Sequence, residues 1–115
     1  MIPENKWKWF GNAAHLCVSN WCRFHMATQV GNHVISTVGE YYPPHKSERE
    51  CPDKPTTIGC DRVYETMVFK VEGECGCGCG LPMTNGSELD FAGYNDPKEA
   101  AAGHMQICKK WSRKK

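Results

Sequence analysis

Between Trp21 and Tyr42, and again between Arg62 and Glu72, apolar and polar side chains alternate, while from Asp96 to Trp111 they recur at helical spacing. The first stretch holds Gly31-Asn32 between two runs rich in β-formers, the arrangement of a two-residue hairpin loop. With those residues as the loop, Val30 faces His33 and the pairing runs back to Arg23 opposite Glu40. Phe24, Met26, Thr28 and Val30 then share a face with Ile35, Thr37 and Tyr41, which is the expected core side. The other face is mixed, with Arg23, His25, Ala27 and Gln29 beside Val34, Ser36, Val38 and Glu40.

Arg62 to Glu72 predicts a half-buried strand. Val63, Met67, Phe69 and Val71 point one way with Glu65 among them, and Arg62, Tyr64, Thr66, Lys70 and Glu72 point the other. Leu81 to Ser87 has turn chemistry, and Glu88 to Tyr94 predicts a further strand of weaker pattern. The helix after it carries its own start signal: Asp96 as N-cap, Pro97 at the first helical position and Glu99 three residues past the cap. Ala101, His104, Met105, Cys108 and Trp111 form one stripe. Gly103 lies off that stripe and costs about 1 kcal/mol relative to alanine, with no packing reason visible in the sequence.

The order hairpin, loop, strand, strand, helix predicts an α+β fold. A small antiparallel sheet, the β-hairpin plus two further strands, carries one C-terminal helix on a face and is expected to be metal-stapled. The 115 residues read as a single domain. Within it, 1–14 is an N-terminal arm, 43–59 a Pro-rich loop and 112–115 a basic tail. In the arm, Trp7, Trp9 and Phe10 alternate partly with Lys6 and Lys8. Those rings are expected to cover one end of the core, with a stacking surface for bases as the functional alternative.

Composition narrows the class. A net charge of +1 makes no global case for a nucleic-acid or acidic partner, but the charges are unevenly placed. Lys109, Lys110, Arg113, Lys114 and Lys115 crowd around Trp111, and Glu72, Glu74, Glu88 and Asp90 surround a cysteine run. Met1 to Phe10 lacks the apolar region of a secretory signal. No stretch approaches the roughly 20 apolar residues of a membrane span. The expected location is a reducing cytoplasm, where eight cysteines are metal ligands or free thiols before they are disulfides.

The run Glu74-Cys75-Gly76-Cys77-Gly78-Cys79-Gly80 is the strongest chemical signal. Three thiols separated only by glycine make poor core, because glycine buries no side chain and loses the most entropy on ordering. A thiophilic ion would compensate. Zinc is expected, with Cys75, Cys77 and Cys79 as ligands and Cys60 or Cys51 as the fourth; Cu(I) suits the same donors. A weaker set, His15, Cys17, Cys22 and His25, matches no usual zinc spacing. His104 and Cys108, four apart on one helix face, form either a ligand pair reaching a metal site or ordinary core. Arg23, His25 and Glu40 cluster on the mixed hairpin face as a candidate small-molecule or nucleotide site. Lys109, Lys110, Trp111, Arg113, Lys114 and Lys115 form a candidate phosphate patch with one stacking ring. Walker, zinc-deaminase, metalloprotease and serine-hydrolase signatures are all missing, so an enzyme is the less favoured class.

Several phrases occur together: His15-Leu16-Cys17, Trp21-Cys22-Arg23-Phe24-His25, Ser36-Thr37-Val38-Gly39-Glu40-Tyr41, Tyr64-Glu65-Thr66-Met67-Val68-Phe69, and Gly103-His104 followed by Cys108 and Trp111. From about His15 to Trp111 the chain resembles small proteins encoded by tailed bacteriophages and prophages, a group without an established activity. The resemblance implies work in an infected bacterial cytoplasm. The leading expectation is a non-enzymatic, zinc-stapled module, an accessory or host-modulating factor that binds a host or phage protein or a nucleic acid. Two alternatives stand beside it: capture or cleavage of a nucleotide defence signal on the Arg23/His25/Glu40 face, and a structural phage component.

Overall fold

The computed structural model describes residues 1–11, 15, 21–43, 54–58 and 61–114. Among these, a short 3-10 turn at Glu4–Lys6 leads into five strands and a helix: β1 (Lys8–Phe10), β2 (Cys22–Val30), β3 (His33–Tyr41), β4 (Tyr64–Glu74), β5 (Pro82–Tyr94) and α1 (Pro97–Ser112). The strands form one antiparallel sheet in sequence order, and α1 lies across β2 to β5 on one face. The fold is α+β, as the periodicities predict.

The hairpin register runs from Val30 opposite His33 to Cys22 opposite Tyr41. Gly31, the first loop residue, has φ +62°, the left-handed region that a tight hairpin turn asks of that position. The arm supplies an extra strand: Lys8, Trp9 and Phe10 pair with Gln29, Thr28 and Ala27. Trp7 joins Val30, Ile35, Val68 and Cys108 in the main core. Phe10 packs on the far side with Ala27, Val34 and Val71. Trp7 and Phe10 of the arm therefore pack against the core on its two faces, whereas Trp9 between them is exposed.

Both faces of the sheet are buried. Under α1 lie Thr28, Val30, Ile35, Thr37, Thr66 and Val68. On the other side Ala27, Val34, Ser36 and Phe69 are buried as well, and His15 lies against them. On β4 the side facing the helix is the one carrying Tyr64 and Thr66, the more polar set in sequence, while Met67 and Val71 on the other side are only half-buried. The helix accepts this polar row because it brings a hydrogen-bonding partner, described below.

Asp96 caps α1 as expected, its Oδ1 accepting from the backbone N–H of Lys98 (2.6 Å) and of Glu99 (3.4 Å). Gly103 is buried against the sheet, and a Cβ there would run into the phenol of Tyr94. Its place in the helix is a close-approach requirement, which the stripe alone does not reveal.

The expected turn at Leu81 to Ser87 is extended instead. β5 begins at Pro82, and Asn85-Gly86-Ser87 forms irregularities within the strand, where its register against β4 shifts between Val68 and Gly73. The true turn is Cys75 to Leu81. β3 stops pairing with β4 at His33 opposite Lys70. Past that point β4 and β5 continue as a two-stranded ribbon beyond the edge of the sheet. The expected Pro-rich loop falls mostly outside the described residues; of it, Thr56 bridges to Tyr41.

Candidate metal centre

The cysteine run is the loop at the tip of that ribbon. The Cys75 N–H donates to the Leu81 carbonyl (2.9 Å), closing the loop, and the Gly78 N–H donates to the Cys75 carbonyl (3.2 Å), folding a turn inside it. Gly78 and Gly80 sit at φ +82° and +80°, conformations that L side chains rarely adopt. These glycines turn the backbone so that alternate thiols come together. The three Sγ atoms lie within 4.8 Å of one another, and Cys75 and Cys77 are 3.1 Å apart. Cys75 is half-buried, and Cys77 and Cys79 are exposed.

These three cysteines could hold a metal ion. Tetrahedral Zn–S bonds of about 2.3 Å place sulfurs about 3.8 Å apart, so the closest pair would open by roughly 0.7 Å. A Cβ at Gly76 or Gly78 would meet nothing within 4 Å, so there is room for that adjustment. The Cys77 backbone N–H, and then the thiols of Cys77 and Cys79, lower the pKa of Cys75. Contacts with the thiols of Cys75 and Cys79 raise Cys77. One thiolate braced by neighbouring donors is a sound starting point for metal capture. Cys51 and Cys60, the expected sources of a fourth ligand, lie outside the described residues.

The second cysteine–histidine set is divided by the sheet. His15 Nδ1 is 2.6 Å from Ser36 Oγ, and its ring stands edge-on to Phe69. His104 contacts Thr28 and Thr37. Ser36 and Thr37 are successive strand residues and point to opposite faces, so His15 and His104 do not converge. Cys22 is buried, His25 is exposed on β2, and Cys17 lies outside the described residues.

His104 and Cys108 serve the core. His104 Nε2 is 2.8 Å from Thr28 Oγ1, and Nδ1 is 2.7 Å from Thr37 Oγ1, which lies 2.6 Å from Thr66 Oγ1. Both ring nitrogens are thereby satisfied, and burial lowers the imidazole to about 4. Burial likewise pushes the Cys108 thiol up to about 12, opposed by its bond to Thr28, so it packs as a protonated, small apolar group. Neither is poised as a ligand. The threonines are what sequence reasoning missed. Their signal was Thr28 and Thr37 on the hairpin face expected to be core; Thr66 stood on the β4 row expected to point away from it.

Arg23 and Glu40 are engaged separately, and His25 is exposed. The Arg23 guanidinium lies 3.9 Å from the centre of the Tyr42 ring. Glu40, at φ +54°, accepts from the Tyr64 hydroxyl (2.7 Å), which stands on the helix side. At the basic end, Lys110 Nζ pairs with Asp90 (2.7 Å) and Trp111 Nε1 donates to the same carboxylate (3.1 Å). The Trp111 ring is flanked by His33 at 4.6 Å and Lys114 at 5.0 Å. Lys109, Arg113 and Lys114 remain as exposed cations, and Lys115 lies outside the described residues.

Among the described residues, no helix is long and apolar enough to cross a membrane. No protein-family model, curated protein or solved structure matches the chain.

Proposed function

We propose that the chain is a non-enzymatic binding module whose Cys75–Cys79 loop takes up one zinc ion. The observation that supports this reading is the convergence of three thiols within 4.8 Å at the tip of a projecting ribbon. Cu(I) is the competitor, since three soft donors suit it as well. With three ligands from the loop, the fourth zinc position is open to a water, to Cys51 or Cys60, or to a partner's donor. An ion there would order the ribbon tip, which is the part of the molecule best placed to meet a partner.

A protein is the favoured partner. The Trp111 ring already has neighbours on its flanks and Lys110 is committed to Asp90, which leaves few elements of a base-stacking, phosphate-tracking surface. The phrase resemblance assigns this role to an accessory or host-modulating factor in the cytoplasm of a phage-infected bacterium. The test is metal analysis of tag-free protein, followed by hydrogen exchange with and without zinc. One zinc per chain is expected, with amide protection gained across residues 72–83 and unchanged across 30–38. Protein that takes up neither zinc nor Cu(I) would overturn the reading. Steeply salt-dependent binding to nucleic acid would move the partner to that class.

A further inference from the structure

The three loop thiols are not equivalent. Cys75 and Cys77 are 3.1 Å apart, whereas the whole triad is held only to within 4.8 Å. A disulfide needs about 2.05 Å between sulfurs, so this pair closes with about 1 Å of movement. The residues around it are free to supply that movement: a Cβ at Gly76, Gly78 or Gly80 would meet nothing within 4 Å. The turn bonding Gly78 N–H to the Cys75 carbonyl holds the two cysteines on one bend, and the exposure of Cys77 admits a reagent from solvent. The other described cysteines, Cys22 and Cys108, are buried and belong to the fold.

We propose that Cys75 and Cys77 form a reversible dithiol–disulfide couple that exchanges with small soluble disulfides, and that its oxidation empties the metal site. In the forward direction Cys77, the exposed member of the pair, loses its proton to solvent and attacks one sulfur of a low-molecular-weight disulfide of the glutathione class. One thiolate leaves, and a mixed disulfide remains on Cys77. The Cys75 thiolate then attacks the Cys77 sulfur and expels the second small thiolate. The protein loses two electrons and two protons, and the small disulfide is reduced to two thiols. Closure removes two of the three ligands, and Cys79 alone does not retain the ion. The loop then responds to the redox state around it: metal-bound when reduced, metal-free when oxidised. The metal-release half rests on the zinc reading above, and the disulfide half does not.

The test is to equilibrate the full chain, with and without zinc, in oxidised and reduced glutathione mixtures, trap the thiols and weigh the tryptic peptide Val71–Lys98. That peptide contains Cys75, Cys77 and Cys79 and no other cysteine. In the metal-free protein it should carry one trapping group in place of three once oxidised, reversibly, and the zinc-loaded protein should release its ion as the bridge forms. Cys75→Ser should instead accumulate a glutathione adduct. Cys79→Ser should keep the bridge while losing zinc. A stable adduct on the wild-type loop, or a bridge lost in Cys79→Ser, would overturn the couple. A bridge in a protein that never takes up zinc removes the metal reading and leaves the couple standing; zinc uptake with no bridge does the reverse.

Discussion

At the scale of single residues, His104 shows how this core tolerates polarity. A fully buried imidazole between two threonines, with a third threonine behind, satisfies every hydrogen-bonding nitrogen without an ion. The Trp9 ring lies alongside at 5.7 Å and brings no charge. The consequence is a pH dependence with a definite sign. In the folded chain His104 titrates near 4, whereas the unfolded imidazole titrates near 6.5. The folded state therefore resists protonation, and the stability it confers is complete above pH 6.5 and is lost as pH falls to 4. The loss is about 3 kcal/mol over that window. His15, also lowered to about 4 by burial, acts in the same direction. Urea denaturation at pH 7 and pH 4.5, with the His104 imidazole followed by NMR, checks this. A His104 midpoint near 6.5 in the folded protein would contradict it. The stripe containing His104 was legible in the sequence. Its partners were not, because Thr28 and Thr37 on the hairpin and Thr66 on β4 are all far from the helix in the chain.

At the scale of elements, Gly103 separates local preference from packing. On helix propensity alone, Gly103→Ala should stabilise α1 by about 1 kcal/mol. The Tyr94 phenol occupies the space a methyl group would need, so we expect a net loss of about 1–3 kcal/mol, measured by urea unfolding. A gain would mean that Tyr94 moves aside freely. The β4–β5 hairpin teaches a related lesson. Leu81 to Ser87 carries the residues of a turn, yet pairing with β4 draws it into a strand and leaves its turn formers as local irregularities. The glycines between the cysteines take the bend instead.

At the scale of the whole molecule, the cysteine loop and the core are separate. Val30, Ile35, Val68, Trp7 and Cys108 pack around the central strands, whereas the thiols sit at the tip of a ribbon that β3 no longer pairs with. An ion at the tip is thus expected to order the ribbon and to leave the sheet–helix core much as it is. Replacing Cys75, Cys77 and Cys79 together by serine should abolish metal uptake. The circular dichroism spectrum and the urea midpoint should stay within about 0.5 kcal/mol of the parent. Collapse of the fold in that variant would make the loop a true staple of the core.

Some of this architecture is written in neighbouring residues. The Gly31-Asn32 hairpin, the Asp96-Pro97-Glu99 helix start and the convergence of thiols spaced by glycine depend on dihedral preferences and hydrogen bonds within a few residues. These were legible from the chain alone. Other features depend on contacts between segments distant in the chain. They include the pairing of Lys8–Phe10 with β2, the burial of both sheet faces, the threonine cradle of His104, the need for Gly103, and the placing of the cysteine loop beyond the core. These emerge on folding, because each follows from which surfaces are brought together, and short-range preferences carry no record of that.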